Sequence, residues 1–326
     1  MDHSGHDHSG HEMGGMGDMG MGVQRHADGS YYYTHGAYLG HVVPGTFFML
    51  WGAWWATTLF WTYLSSAANR RPFISRPWHK LPWGPKSLQA LPLEPILKVA
   101  LPLMGILGEL WLGHEQYMAL YAPDGKFNTG NINDWQHSMM YFSFVASGVV
   151  DLLSASAGLP ATLSRAFLGL SFLVEGTLLV FHLKGPAIEV MVHLLLCLQI
   201  FATVLSVAAE TLQPQSLVAA ALRPLFTMAQ GAWWVQTAYI MYRANPAWDP
   251  DYMGAEMMAP VLFCFHLVLI ALAMLLLLLG LRAVMERQRG VAIALTQPDG
   301  SPPGAYQAVA DANHLELAAL GDKTRF

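Results

Sequence analysis

The residues best suited to metal chemistry lie in the first 22 positions of the chain, where histidines and methionines are interspersed with glycine. Imidazole nitrogens are good ligands for Cu(II) and Zn(II), and the methionine thioether is a good ligand for Cu(I). Glycine lets a short chain wrap around an ion without backbone strain. The segment therefore predicts a copper or zinc site, and a solvated low-complexity linker is the alternative interpretation. The candidate ligands of this tail are His3, His6, His8, His11, Met13, Met16, Met19 and Met21.

The composition of the remaining chain is typical of a membrane protein. Of the 326 residues, 54% are apolar and 12% are charged, whereas an average soluble domain has roughly 25% charged residues. The net charge of -5 argues against nucleic-acid binding, and two cysteines are too few for a disulfide framework. We therefore expect a multi-pass protein whose main partner is the lipid bilayer.

The apolar segments predict an all-α fold. A helix needs about 20 mostly apolar residues to cross the roughly 30 Å hydrocarbon core of a bilayer. Seven segments meet this requirement, which predicts a bundle of seven transmembrane helices. The predicted spans are His41–Leu64, Pro95–Tyr121, Asp134–Ser154, Leu163–Leu183, Ile188–Ala209, Pro224–Tyr242 and Met258–Arg282.

The basic residues predict the orientation of the chain. If the seven spans alternate, all but four of the 17 Lys and Arg residues fall on one side, and the exceptions are Arg25, Lys126, Lys184 and Arg243. Because Lys- and Arg-rich loops stay in the cytosol, we expect the N-terminus outside or in a lumen and the C-terminus in the cytosol. The chain then divides into an outer tail (1–38), a transmembrane domain (39–286) and a disordered cytosolic tail (287–326). The plasma membrane and the Golgi, endosomal and lysosomal membranes all fit this topology.

Six histidines inside the predicted spans share one depth in the membrane. At 1.5 Å per residue they all fall within about 12 Å of the outer boundary. Ionisable groups in lipid are costly, so we expect them to face the interior of the bundle and to pair there. Carboxylates lie at a compatible depth in the same spans. The histidines and carboxylates together therefore predict a His/Glu cluster in the outer half of the bundle. The candidate residues are His41, His114, His137, His182, His193, His266, Glu109, Glu175 and Glu189.

The sequence leaves three interpretations of this cluster open. The side chains could bind one another and link the helices. Three or four imidazoles with a carboxylate could instead hold zinc or copper, or the group could serve as a metal-dependent hydrolase or a proton relay. Taking cluster and tail together, we predict a membrane protein that binds copper or zinc for handling or sensing. A structural or trafficking protein is the alternative and an intramembrane metal-dependent hydrolase the third, with no catalytic residue assigned.

Five segments of the spans carry distinctive patterns. They are GHVVPGTFFMLWGAWW (Gly40–Trp55), WQHSMMYFSFVASGVVDLL (Trp135–Leu153), FLVEGTLLVFHLKGPAIEVMVHLLL (Phe172–Leu196), QGAWWVQTAYIMY (Gln230–Tyr242) and FCFHLVL (Phe263–Leu269). From about residue 36 to residue 287 the chain resembles the transmembrane protein 45 family, whose molecular activity is not settled. The resemblance implies a multi-pass membrane protein. The residues it places on motif positions are His41, Pro44, His137, Glu175, His182, His193 and His266.

The two tails fall outside that pattern. The N-terminal tail resembles the extracellular N-termini of the high-affinity copper transporter family. The C-terminal tail is polar, with a predicted short helix at Ala310–Ala319, and it contains a tyrosine-based sorting pattern at Tyr306–Val309. The chain ends in Thr324–Phe326, a form that a carboxylate-binding groove accepts. Both patterns are short and frequent by chance, so they do not decide whether the tail binds a cytosolic partner. The sequence does not define the oligomeric state either.

Overall fold

A computed structural model describes residues 23–25, 31–33, 36–112, 114, 116–181, 183–243 and 247–296. The candidate metal ligands of the N-terminal tail, the C-terminal patterns and His182 lie outside the described residues. The described part is mostly helical, with connecting loops and one small antiparallel pair of strands. Strand β1 (Val23–Arg25) pairs with β2 (Tyr31–Tyr33), with Val23 opposite Tyr33.

The helices account for most of the described chain. They are α1 (Tyr38–Ala68), α2 (Lys86–Ala90), α3 (Leu93–Leu107), α4 (Ile132–Ala157), α5 (Ala161–Val180), α6 (Ala187–Leu212), α7 (Leu217–Ala238) and α8 (Met253–Thr296). Two of them continue as π-helical turns: α3 over Gly108–Leu112 and α7 over Tyr239–Arg243. A 3-10 turn over Thr129–Asn131 precedes α4.

Proline and glycine set several helix boundaries. Pro92, Pro160 and Pro186 occupy the N-cap positions of α3, α5 and α6, where the missing N–H of proline costs no helical hydrogen bond. Gly158 ends α4 in the left-handed conformation with φ 67°, which glycine adopts without a clash of Cβ. The connection from α4 to α5 is therefore only residues 158–160, and the two helices pack as neighbours.

Five of the described helical segments are long and apolar enough to cross a bilayer. They are Leu93–Leu112, Thr129–Ala157, Ala161–Val180, Ala187–Leu212 and Met253–Gln288. Helices α1 and α7 also lie at predicted spans and contain 31 and 22 residues, but they are less apolar than these five. The structure thus supports several membrane spans, while the count of seven and the orientation of the termini stay predictions.

The second predicted span ends earlier than the apolar pattern indicated. Its helix stops at Leu112 rather than at Tyr121, and the amide of Met118 donates to the carbonyl of Leu110 (3.0 Å). The chain therefore folds back on the end of its own helix. A hydropathy window counts apolar side chains whether or not the backbone stays helical, so the predicted span extended beyond this turn. His114, expected two turns inside the span, lies beyond the helix end.

The long helices form a bundle around α7. Helix α7 packs most extensively against α1 and also contacts α6 and α8, while α3, α4, α5 and α6 pack side by side in chain order. Apolar side chains of α5, α6 and α7, including Leu168, Ile200 and Trp233, form the main core. Leu272 and Leu276 on α8 point outward and are exposed, as expected for a helix that faces lipid.

Helices α1 and α7 approach each other through glycines. A Cβ on Gly45 would lie 2.7 Å from the carbonyl oxygen of Gly231, and a Cβ on Gly231 would lie 2.5 Å from that of Gly45. Gly52, two turns further along α1, would meet the backbone nitrogen of Met228 at 2.9 Å. Small residues allow such close backbone contact between membrane helices. The contact fixes how α1 lies against the centre of the bundle.

Gly45→Ala should lower the melting temperature of the purified protein by about 2–4 °C. The added methyl group meets backbone atoms, so the helices must separate, and overpacking of this kind costs about 1–3 kcal/mol. Gly40→Ala on the same helix is the matched control, because among the described residues no heavy atom outside its own stretch of helix backbone lies within 4 Å of its Cβ position. Equal melting temperatures for the two variants in detergent would contradict the observed contact.

Candidate functional site

A group of buried charges lies where α5, α6 and α7 meet the connection between α1 and α3. Arg223 on α7 donates to the carboxylate of Glu210 on α6, at 2.6 Å from Nε to Oε2 and 3.3 Å from Nη2 to Oε1. Nε of Arg165 on α5 lies 3.8 Å from Oε1 of the same carboxylate. Glu210 is 0% exposed and Arg223 is 1% exposed. One buried carboxylate thus compensates two buried guanidinium groups.

The same two arginines hold the connection against the helices. Nη2 of Arg165 donates to the carbonyl oxygen (2.7 Å) and the hydroxyl (3.0 Å) of Ser75. Arg223 donates to the carbonyl oxygens of Arg76 (3.1 Å) and Pro77 (3.4 Å). Hydrogen bonds from a charged donor are stronger than neutral ones. Residues 75–77 are therefore fixed by side chains from two different helices.

A second buried carboxylate lies on the side of this region that α1 and α3 form. Glu94, in the first turn of α3, accepts hydrogen bonds from the indole nitrogens of Trp54 (2.8 Å) and Trp55 (2.6 Å) on α1. It also accepts from the backbone amide of His79 (2.8 Å). The guanidinium of Arg223 lies over the Trp55 ring, 4.2 Å from its centroid, in a cation–π contact. Glu94 therefore links α1, α3 and the connection to the charged group.

His79 is the buried histidine of this region. Its imidazole is 4% exposed, and Nδ1 lies 3.9 Å from Oε2 of Glu94. Burial, followed by the positive charges of Arg223, Arg76 and Arg165, lowers the pKa of His79 to about 3. Removal from water disfavours the charged form of an imidazole, and nearby cations act in the same direction. His79 is therefore neutral at physiological pH.

Replacing His79 should change how stability depends on pH. The unfolded chain protonates His79 below about pH 6.5, whereas the folded chain does so only near pH 3. The unfolded state therefore binds more protons in this window, and stability falls as the pH falls. His79→Gln removes this term, which is up to about 1.4 kcal/mol per pH unit. Melting temperatures between pH 7 and pH 4 should fall less steeply for the variant, and parallel profiles would show that His79 titrates normally.

A separate buried ion pair joins α3 to α4. Nζ of Lys98 lies 2.8 Å from Oδ2 of Asp151, and both side chains are buried. The backbones approach closely beside this pair, because a Cβ on Gly148 would lie 3.0 Å from the carbonyl carbon of Lys98. The partner of Asp151 is therefore a lysine from the neighbouring helix.

The position of these charges corrects one expectation. The residual polar groups were expected to gather in the outer half of the bundle, and Lys98, Arg165 and Arg223 were counted as cytosolic flanks. The three side chains do lie in the first two turns of their helices, but they are buried in ion pairs. Counting residues along a helix gives the depth of a side chain, whereas its direction depends on the neighbouring helices.

Three of the predicted cluster residues come together at the other end of the bundle. The rings of His41 on α1 and His193 on α6 have centroids 5.8 Å apart. Nδ1 of His193 donates to the carbonyl oxygen of Glu189 (2.7 Å), and Nδ1 of His41 donates to that of Ala37 (3.0 Å). Because a carbonyl oxygen only accepts, the proton of each neutral ring is assigned to Nδ1. Both hydrogen bonds stay within a helix.

A second set of predicted residues lies around the π-helical end of α3. Nδ1 of His137 on α4 is 3.2 Å from Oε2 of Glu109. His114, beyond the helix end, has Nε2 3.9 Å from Oδ1 of Asp134. These side chains are only partly buried. Asp134 was not among the candidates, although it marks the start of a predicted span.

The last two described candidates have partners outside the predicted set. Nε2 of Gln230 on α7 donates to Oε1 of Glu175 on α5 (3.0 Å), and both residues are buried. The ring of His266 on α8 packs edge-on against the indole of Trp233, with centroids 5.9 Å apart. The amide of Gln230 inside an apolar segment was the sequence signal for this contact.

The candidates do not form one ligand set. Among the described residues, no group of three or more His, Cys, Asp or Glu side chains is placed to hold a metal ion. The single outer cluster and metal binding in the bundle are therefore not supported. Tail binding of copper or zinc stays a prediction, because those residues lie outside the described chain.

Sequence reasoning missed most of the buried group at the opposite end. Glu94, Glu210 and His79 were not candidates, yet each is almost fully buried. The available signal was the presence of both carboxylates and basic residues near the ends of apolar segments, where ionisable groups are expected to pair. What could not be anticipated was that residues 75–79 fold back between the helices.

Comparison with known proteins places the chain among multi-pass membrane proteins. Residues 161–279 match the model of a family of unknown function, DUF716. The chain is 26% identical over 278 residues to transmembrane epididymal protein 1A of Mus musculus, covering 83% of this chain and 88% of that protein. The similarity to that mouse protein extends along most of this chain. Together with the helices able to cross a membrane, this confirms the prediction of a multi-pass integral membrane protein.

Two further relatives agree with this result. Transmembrane epididymal protein 1 of Rattus norvegicus is 27% identical over 248 residues, which cover 74% of this chain and 79% of that protein. The Homo sapiens protein of the same name is 27% identical over 175 residues, covering 52% and 63%. These similarities support the resemblance of the spans to a family of membrane proteins. The resemblance of the N-terminal tail to copper transporters stays a prediction.

Proposed function

We propose that this protein is a structural or trafficking component of a membrane, whose interior polar residues bind one another and fix the arrangement of its helices. The observation that carries the proposal is the direct pairing of buried charges. Glu210 bonds to Arg223 and lies beside Arg165, and Lys98 bonds to Asp151. Each of these contacts joins two helices. A binding or catalytic site would instead direct such groups into a shared cavity.

The contacts of the histidines and other polar residues support the same proposal. Glu175 and Gln230 link α5 to α7, and Glu109 and His137 link the end of α3 to α4. Interhelical hydrogen bonds in membrane proteins contribute about 0.6 kcal/mol each on average. Many such contacts, with close-packed glycines between α1 and α7, give a bundle with one defined arrangement.

The proposal includes seven spans with the N-terminus outside. Helix α7 lies among α1, α6 and α8, so its less apolar residues are covered by protein rather than by lipid. Arg223 and Gln230 of this helix are both buried, and Gln236 is half-buried. A helix shielded in this way crosses a bilayer despite its lower hydropathy. The proposed orientation follows from the distribution of Lys and Arg.

Metal handling by the N-terminal tail is the second candidate function. It is favoured by four histidines and four methionines between positions 3 and 21, which together suit both oxidation states of copper. This candidate needs no ligand from the bundle. It is compatible with a structural role for the helices.

Thermal stability in the presence of metal tests whether the bundle itself binds a metal ion. The full chain and a full-length variant with the eight tail ligands replaced by Ser are melted with and without Zn(II) or Cu(II). We expect no shift for the tail variant. A metal bound in the bundle at 100 times its Kd would stabilise that variant by about 2.7 kcal/mol, and such a shift would contradict a purely structural bundle.

A further inference from the structure

A cavity of about 200 Å³ opens beside the charged group, between the α1–α3 connection and the α4–α5 turn. Arg76 and Lys80 line it from the connection, and Ser154 and Ser164 line it from α4 and α5. The hydroxyl of Ser164 donates to that of Ser154 (3.2 Å). The lining residues, all in the described part of the chain, include no carboxylate. The wall therefore offers two cationic groups and two hydroxyls.

The positive charge of this wall is not balanced nearby. Residues 69–92 contain five basic residues and no Asp or Glu. Among the described residues neither Arg76 nor Lys80 forms an ion pair, whereas the buried Arg165 and Arg223 are compensated by Glu210. The two cavity cations also have exposed side chains. An anion in the cavity would meet uncompensated positive charge.

The cavity lies at the level of the ends of the membrane helices. Helix α4 ends at Ala157 and α5 begins at Ala161, and exposed Leu159 between them lines the cavity together with Trp78. The N-cap of α5 is Pro160, whose side chain cannot accept a hydrogen bond from the first amides of the helix. A volume of about 200 Å³ is smaller than the roughly 300–1,000 Å³ of pockets for drug-sized ligands.

We propose that this cavity binds a phosphate group, either on the headgroup of an anionic lipid or on a small soluble molecule. Guanidinium and ammonium groups are the side chains that bind phosphate in proteins, Arg as a planar fork and Lys as a point charge. The uncapped amides of α5 add a partial positive charge. The predicted orientation places the cavity on the cytosolic leaflet, where anionic lipids are concentrated.

The test uses the full chain in nanodiscs of phosphatidylcholine with or without phosphatidic acid. Arg76→Gln/Lys80→Gln is compared with Arg71→Gln/Lys86→Gln, which removes the same charge from exposed positions of the same connection outside the cavity. Arg76 accepts from Arg223 through its backbone carbonyl, so its replacement leaves that contact in place. Binding of fluorescent phosphatidic acid is measured, and inorganic phosphate serves as the soluble competitor. Melting temperatures confirm that both variants are folded.

We expect the cavity variant to lose affinity for phosphatidic acid at least about tenfold, while the control variant stays within about twofold of the wild type. Competition by millimolar inorganic phosphate would identify a site for soluble phosphates, and binding without competition would identify a lipid headgroup site. Equal losses in both variants would indicate general surface attraction and overturn the proposal. Absence of binding to either probe, or equal binding of phosphatidylcholine, would overturn it as well.

Discussion

Glu210→Gln is expected to destabilise the protein by about 3–5 kcal/mol, because it leaves buried cations without a counter-charge. The carboxylate lies 2.6 Å from Nε of Arg223 and 3.8 Å from Nε of Arg165. All three groups are removed from water, so no solvent replaces the lost interaction. The measurement is the melting temperature in detergent, together with the fraction of protein that elutes as a single species.

Glu286→Gln provides the control for this prediction. Glu286 bonds to Arg282 one turn earlier on α8 at 2.8 Å, but its side chain is 54% exposed. Exposed ion pairs contribute roughly 0–1 kcal/mol, so the control should melt almost like the wild type. If Glu210→Gln and Glu286→Gln lost stability equally, the buried group would not have the role proposed for it.

Asp151→Asn is the second substitution with a large expected effect. It leaves the ammonium of Lys98 buried without an anion, which should again cost about 3–5 kcal/mol. The double variant Lys98→Met/Asp151→Leu replaces both charges by apolar groups of similar size. Because buried ion pairs replaced in this way often lose little stability, it should melt closer to the wild type than the single variant does.

The comparison of single and double variants is decisive for this pair. A double variant as unstable as Asp151→Asn would mean that the two residues contribute through other contacts. The close approach of Gly148 to the backbone of Lys98 is unchanged in both variants. The difference in melting temperature therefore reports on the charges rather than on the helix contact.

The positions of the long helices could be predicted from apolarity alone, because a bilayer requires about 20 apolar residues per span. The end of the second span could not. Met118 and Tyr121 are counted as apolar in such a pattern, yet the backbone turns back after Leu112. Apolar composition describes the environment of a segment, whereas helix ends depend on local backbone hydrogen bonds.

The contact between His41 and His193 could be anticipated from the sequence, but the other pairings could not. His41 and His193 were expected at a common depth and do lie together, with ring centroids 5.8 Å apart. His137 instead pairs with Glu109, because α3 and α4 form their own contact. Helix periodicity places a residue on one side of its own helix, but it does not identify the facing helix.

The buried group near Glu210 shows a further limit of sequence analysis. Basic residues near span ends indicate the cytosolic side, and the same residues can also be bound inside the protein. Arg165 and Arg223 were interpreted only in the first way. Their partners, the backbone of residues 75–77, come from a connection about 90 and 147 positions away in the chain, so no local pattern could reveal them.

The metal content of the purified protein tests most directly whether the polar residues of the bundle bind one another rather than a metal ion. Elemental analysis is made on the full chain and on the full-length variant with Ser at the eight tail His and Met positions, after incubation with Zn(II) and Cu(II) and desalting. The account predicts less than about 0.1 metal ion per chain in the tail variant, because the described residues hold no group of three ligands. About one ion per chain in that variant, lost on His41→Ala or His193→Ala, would contradict it.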